Sequence, residues 1–154
     1  MDDDTQIDNV AILQTVWGGI QRRHPDVPDV MIEIHPLRRY ADGTVPSAVF
    51  TPDPVPTVVM TDWAIMSPRA AVLEFLLHEA AHALAYVRRV KDGQRYHTKA
   101  FGALAAELGL SVDDSDVEPF GRGDGYKGTH LDAGTADEYA EELRLLATAE
   151  EAMR

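Results

Sequence analysis

The segment from residue 67 to about residue 90 is apolar nearly all round, yet it carries two histidines and a glutamate near its middle. A helix that is apolar on every side is buried on most sides. Burying His78, Glu79 and His82 is costly unless other groups satisfy their polar atoms. We therefore predict that this segment is the central helix of the fold and that it contributes to a polar site.

The spacing of these three residues fits a mononuclear metal centre. Positions four apart lie one above the other on a helix face, so the imidazoles of His78 and His82 can reach one cation. Glu79 is rotated about a quarter-turn from His78, close enough to contact an attacking water without being a ligand. Zinc makes such a water more acidic, and a neighbouring carboxylate can take its proton and return it to the leaving amine. We predict one zinc ion per chain, with His78 and His82 as ligands and Glu79 as the catalytic base.

A third ligand has to come from elsewhere, because catalytic zinc usually has three protein ligands and a water. His97 follows the motif after a stretch, residues 83–96, in which Asp92-Gly93 can turn the chain back. It then begins a second predicted helix, whose Phe101 can dock on the first. We predict that His97 is the third ligand; its rivals are Asp92, Glu107 and His130.

The remaining pattern predicts an α+β fold in one domain, residues 1–154, with a small sheet packed on the central helix. Helices are expected at 5–23, 67–90, 97–108 and 135–152, the second with Ser67 as N-cap and Pro68 at its first position. Alternating or β-branched residues predict strands at 30–35, 47–51 and 57–61. Residues 111–130 are polar and glycine-rich, which indicates an irregular segment with at most one strand. One sheet edge should lie near the metal, since an extended peptide can bind by adding a strand.

Composition and charge exclude several classes of protein. The chain has no cysteine, which rules out disulfides, cysteine-ligated zinc and a thiol nucleophile. The N-terminus lacks the pattern of a secretory signal and the apolar segment is interrupted by ionisable groups, so we expect a cytoplasmic protein without a membrane span. A net charge of −12 argues against DNA binding by this chain alone. One basic cluster is expected to be a solvated loop; its members are Arg88, Arg89, Lys91, Arg95 and Lys99.

Three stretches together resemble the SprT-like zinc metallopeptidase family, which is related to the Spartan proteases. They are His78-Glu79-Ala80-Ala81-His82, Asp92-Gly93 and Tyr96-His97-Thr98-Lys99-Ala100-Phe101. Residues 104–110 resemble the family too, and residues 125–131 resemble a subset of its bacterial members. The resemblance implies a zincin-like fold, a protein or peptide substrate, zinc held by the three histidines and Glu79 as the base. Many members add a cysteine zinc ribbon or DNA-binding segments, and this chain has no cysteine and an acidic C-terminal part.

Other interpretations remain open beside the zinc peptidase. Peptidases of the ImmA/IrrE kind have the same helix but draw an acidic third ligand, for which Glu107 or Glu118 could serve. A non-catalytic module would use zinc only to fasten two helices and would bind a partner through its acidic surface. Such a module has no need of a glutamate placed beside a water, so Glu79 favours the enzyme. A hydrolase of some non-peptide amide would use the same machinery as the peptidase.

Overall fold

The computed structural model describes residues 3–36, 47–93, 97–112 and 129–152. Within those ranges the fold is mixed α+β, with a small sheet and several helices, as predicted. In chain order the described elements are α1 (Asp3–Arg23), β1 (Met31–His35), β2 (Ala48–Thr51), β3 (Thr57–Thr61), α2 (Asp62–Ile65), α3 (Arg69–Arg88), α4 (Lys99–Glu107), β4 (Leu110–Ser111), β5 (His130–Leu131), α5 (Ala133–Glu138) and α6 (Ala140–Ala152). Arg95, Tyr96, Glu118 and residues 121–128 lie outside the described residues.

The main sheet has the strand order β1-β3-β2. Strand β3 pairs in parallel with β1 and antiparallel with β2, so β2 is an edge strand. Strand β3 supplies Val58 and Met60 to the core, and β2 supplies Phe50. Strand β2 packs on α3, which places a sheet edge beside the central helix.

Helix α3 is the centre of the core. It contacts α1, α4, α6 and the edge strand β2, and its middle residues are buried on all sides. Its length and apolar composition alone would suffice to cross a membrane, but most of its apolar stretch is buried inside the protein, as in the core helix of a globular fold. Four alanines on this helix are fully buried, which lets neighbouring elements approach closely: Ala80, Ala81, Ala83 and Ala85.

The start of α3 differs from the prediction. Ser67 is not the N-cap: it lies one residue before the cap, and its backbone N–H is bonded to the carbonyl of Ala64 in the turn that ends α2. Pro68 has a ψ of 145° and occupies the cap position instead of the first helical turn, without a side-chain cap. The helix therefore begins at Arg69, and it ends at Arg88, two residues earlier than predicted.

The C-terminal helix is divided at Tyr139 where one continuous helix was predicted. The side chain of Arg23 donates to the backbone carbonyl of Glu138 and lies over the Tyr139 ring, 4.1 Å from its centroid. Arg23 also pairs at 2.8 Å with Glu142, which is only 2% exposed. Gly19 makes this close approach of α1 and α6 possible, because a Cβ there would lie 2.4 Å from the Glu142 carboxylate.

Candidate metal centre

Three histidines converge between α3 and the start of α4. The potential ligand atoms of His78, His82 and His97 all lie within 4.8 Å of one another. The Nε2 atoms of His82 and His97 are 3.2 Å apart. Two nitrogens bound tetrahedrally to one zinc ion at ~2.0–2.1 Å are separated by about 3.3 Å. The structure thus brings the three predicted ligands together at a spacing that fits one metal ion.

The position of His97 depends on a local cap. His97 is buried and precedes α4, whereas the sequence predicted it inside that helix. Thr98 is the N-cap, and its hydroxyl accepts a hydrogen bond from the backbone of Phe101. The same hydroxyl donates to the carbonyl of Lys91 at 2.6 Å, which ties the start of α4 to the chain leaving α3. This double anchor places His97 opposite the histidines of α3.

Two other side chains orient the rings. The Nδ1 of His82 donates to a carboxylate oxygen of Asp92 at 2.7 Å, which leaves Nε2 with the lone pair a metal needs. His78 Nδ1 is hydrogen-bonded to the hydroxyl of Thr129 at 3.1 Å. Burial, reinforced by the neighbouring His82 and His97, holds the pKa of His78 well below its ordinary value. The ring is therefore neutral near pH 7, the form in which histidine binds metal.

Phe101 forms the floor of the cluster. Its ring stacks on His97 and His82 with centroid separations of 4.3 Å and 4.4 Å, and it lies 5.1 Å from the ring of His78. Phe101 is fully buried, so it excludes water from beneath the imidazoles and restricts their planes. It lies in the first turn of α4, where its ring meets that of His97 just before the helix.

Glu79 follows His78 on α3, interacts electrostatically with His82 and is only 5% exposed. Burial raises the pKa of its carboxyl to about 7, against the opposing effects of His82 and of a hydrogen bond from the backbone of Phe50. The other carboxylate oxygen, Oε2, has no hydrogen-bond partner among the described residues. A buried acceptor without a partner is expensive in a folded protein. The unfilled acceptor fits a bound water, which would donate to it.

The rivals for third ligand have other roles or positions. Asp92 accepts a hydrogen bond from Nδ1 of His82, the ring nitrogen that is not the proposed metal ligand. Glu107 forms a bidentate ion pair with Arg88, in which the two guanidinium nitrogens lie 2.8 Å and 2.9 Å from the carboxylate oxygens. His130 is exposed on β5 and is not part of the three-histidine group. Glu118 lies outside the residues that the structure covers.

Thr129 is the site residue that sequence reasoning missed, and nothing in its local pattern marks it. It reaches His78 because β5 docks on α3, where the backbone N–H of Leu131 donates to the carboxylate of Glu74 at 2.9 Å. The docking is reinforced at Gly109, whose carbonyl accepts from the Thr135 hydroxyl at 2.7 Å. Gly109 has φ +90° and no room for a Cβ against Thr135, so glycine is required there.

The predicted basic cluster is not one solvated loop. Arg88 belongs to α3 and is bound to Glu107 and, at 3.0 Å, to Asp26. Arg89 and Lys91 follow the helix, and Lys99 is exposed at the start of α4. The cluster therefore divides into a structural arginine and cations with different surroundings.

The donor set is three imidazole nitrogens, which suits zinc, copper, iron or nickel. The group could hold a metal ion, and the geometry alone does not choose among these metals. Comparison of the chain with protein-family models, with curated proteins and with solved structures finds no match.

Proposed function

We propose that this chain is a zinc-dependent peptidase with a zincin-like arrangement, of the kind that the SprT-like resemblance implies. His78, His82 and His97 would hold the ion. The observation that carries the proposal is the unsatisfied carboxylate of Glu79 beside three converging imidazoles. Zinc bound there would polarise a substrate carbonyl and acidify the attacking water.

Glu79 acts in this proposal as the general base and then as the general acid. Its position on α3, one residue after His78, keeps it out of the three-histidine group while leaving Oε2 free to receive a proton. The bond from the Phe50 backbone fixes the carboxylate in place. A dication nearby favours the ionised carboxylate, the form that a base requires.

The edge strand supports a peptide as the proposed substrate class. Strand β2 pairs with β3 on one side, and its Phe50 backbone N–H is directed toward Glu79. An extended peptide adding to this edge would run past the carboxylate. This arrangement supports a peptide bond as the scissile bond, in preference to a small non-peptide amide.

Two alternatives make different demands on the site. A structural zinc site normally has four protein ligands and no acid–base group, whereas three histidine ligand atoms converge in the described part of the chain and Glu79 follows the first of them. An ImmA/IrrE-like site with Glu107 as ligand would require breaking the ion pair with Arg88. The three-histidine peptidase requires neither a fourth protein ligand nor a broken ion pair.

Hydrolysis of an unfolded, fluorescently labelled protein by the zinc-loaded chain tests the proposal. Glu79→Gln keeps the size of the side chain but cannot take up the proton, so the rate should fall by about 10²–10⁴. Zinc content should remain at one ion per chain. Equal rates in the two proteins, or no hydrolysis by the wild-type protein with zinc bound, would overturn the proposal.

A further inference from the structure

A groove lies at the C-terminal end of α3, the helix that carries His78 and His82. It is open to solvent and has a volume of about 550 Å³. Its lining residues are Ala85, Tyr86, Val87, Arg89, Val90 and Lys91.

The groove borders the proposed catalytic face of the helix. Tyr86 follows His82 by one turn, which is about 6 Å along the axis. Its ring lies 6.1 Å from that of Phe50, the residue whose backbone bonds Glu79. At the other end, Lys91 immediately precedes Asp92, which orients His82. A chain bound along β2 and past Glu79 can therefore continue into this groove.

The lining combines apolar surface with two cations. Tyr86 and Val87 are about half exposed, although they are large hydrophobic residues. Arg89 and Lys91 form no ion pair with any residue in the described ranges, whereas their neighbour Arg88 is paired with Glu107 and Asp26. In a chain of net charge −12, two such cations lining one groove attract an anionic partner.

The backbone at Arg89 provides a second, independent observation. Arg89 has φ 58° and ψ 43°, the left-handed conformation that ends many helices. Glycine is the usual residue at that position, because a Cβ is strained there. Strained positions of this kind concentrate at functional sites. A cation at a position that favours glycine points to a role beyond ending the helix.

We propose that the groove binds an acidic, partly apolar segment of the substrate protein, and that Arg89 and Lys91 determine this specificity. The inference deepens the proposed peptidase function and rests on it. Carboxylates of the segment would face the two cations, and its apolar side chains would contact Tyr86 and Val87. A nucleic-acid strand fits less well, because two cations beside an apolar wall do not follow a phosphate backbone and the whole chain is strongly acidic.

The test measures peptide binding by the full-length, zinc-loaded protein carrying Glu79→Gln, so that peptides are not cut. The probe is a fluorescein-labelled 12-residue peptide of alternating glutamate and leucine, compared by anisotropy with its glutamine–leucine counterpart. The variant is Arg89→Gly with Lys91→Gln. The matched control, Arg69→Gln with Arg144→Gln, removes the same charge from two exposed arginines, one at the opposite end of α3 and one on α6.

The acidic peptide should bind about 10-fold more tightly than the neutral one at low salt, and the groove variant should abolish this preference. The control should change it by less than about 2-fold. The melting temperature of the groove variant should not fall, because glycine relieves the strain at position 89. Binding lost through misfolding is thereby distinguished from binding lost through specificity.

Several results would overturn the inference: no binding of the acidic peptide, an unchanged preference in the groove variant, or an equal loss in the control. A single-stranded 12-mer of DNA that binds more tightly, with the same sensitivity to Arg89 and Lys91, would assign the groove to nucleic acid instead. Hydrolysis is measured separately, with proteins that keep glutamate at position 79. If the acidic peptide binds preferentially but no substrate is hydrolysed, the proposed peptidase function alone is refuted. If substrate is hydrolysed but replacing Arg89 and Lys91 changes neither hydrolysis nor peptide preference, the groove proposal alone is refuted.

Discussion

Replacing Asp92 with asparagine should weaken zinc binding about 10- to 100-fold, although Asp92 is not a proposed ligand. The 2.7 Å bond to His82 Nδ1 is short. Burial raises the pKa of Asp92, but the hydrogen bond from His82 and the electrostatic attraction of that residue outweigh burial, so the pKa lies below its ordinary value. The carboxylate is therefore ionised, and ionised acceptors form bonds roughly twice as strong as neutral ones. Asparagine keeps the shape but offers a neutral acceptor, and the expected loss corresponds to about 1.4–2.7 kcal/mol.

Thr129→Val provides the matched comparison. It removes a neutral hydroxyl that lies 3.1 Å from His78 Nδ1 and keeps the volume of the side chain. A neutral hydrogen bond contributes about 1 kcal/mol, so zinc affinity should fall only about 5-fold. The order of the two effects, Asp92 above Thr129, follows from charge and distance alone.

Competition with a chromophoric chelator at pH 7.5 measures both affinities on one scale. The visible spectrum of the cobalt-substituted protein should shift in both variants if the rings reorient. Urea unfolding of the metal-free proteins controls for loss of fold. Unchanged affinity in Asp92→Asn, or a larger loss in Thr129→Val, would refute the reasoning that these two partners orient the imidazoles.

Three further predictions follow from the same structure. His97→Ala should abolish binding of one zinc per chain by metal analysis, whereas Glu107→Ala should retain it; the reverse pattern would favour an acidic third ligand. Arg89→Gly should raise the free energy of unfolding by about 0.5–1 kcal/mol in urea titrations, because glycine adopts the left-handed conformation without strain, and a decrease would contradict this. In the metal-free protein, Glu79→Gln should stabilise the fold progressively between pH 4.5 and 7, by about 3 kcal/mol in all. The sign follows because the buried carboxyl keeps its proton up to about pH 7 while the unfolded chain releases it near 4.5, so wild-type stability falls as the pH rises. If the difference in free energy of unfolding between the two proteins stays constant across this pH range, burial does not perturb the pKa of Glu79.

The central helix and its histidines were predictable because their signal is local. An apolar run long enough for a helix, with two histidines four apart, fixes both the element and the shared face. Phe101 was also predictable as a residue docking on α3, since it lies one helical turn beyond His97. The structure has this ring fully buried against all three imidazoles.

The arrangement of the sheet was not predictable from these strands. Strand β3 lies between β1 and β2 and pairs in parallel with the first, and pairing of distant segments has no local signature. Helix α2 has four residues, too few to show a period. Ser67, predicted as the N-cap of α3, instead lies in the turn after α2, and the cap position falls on Pro68. The break at Tyr139 depends on Arg23, more than one hundred residues earlier.

The groups that support the site also divide into one that is close to the motif in sequence and others that are distant from it. Asp92 was recognised as a nearby acid but was considered as a ligand, since spacing alone does not distinguish a carboxylate that binds metal from one that binds a ring. Thr129 comes to His78 through the docking of β5, and the Phe50 backbone comes to Glu79 through the sheet edge. Both contacts connect residues that are far apart in the sequence, so neither could be predicted before the fold was known.

The polar groups of α3 differ in how far their hydrogen-bonding atoms are satisfied. His82 is fully engaged, with Asp92 at one nitrogen and His97 at the other, and His78 has Thr129. Among these groups, Glu79 Oε2 alone is buried without a partner in the described structure. Burial also raises the pKa of Glu79 to about 7, and a carboxyl perturbed in this way opposes folding near neutral pH. A module that used a metal only to fasten α3 to α4 would be more stable with glutamine or alanine at this position. The carboxylate at this position therefore has no explanation in the stability of the fold, and the proposed role as a base acting on a bound water would account for it.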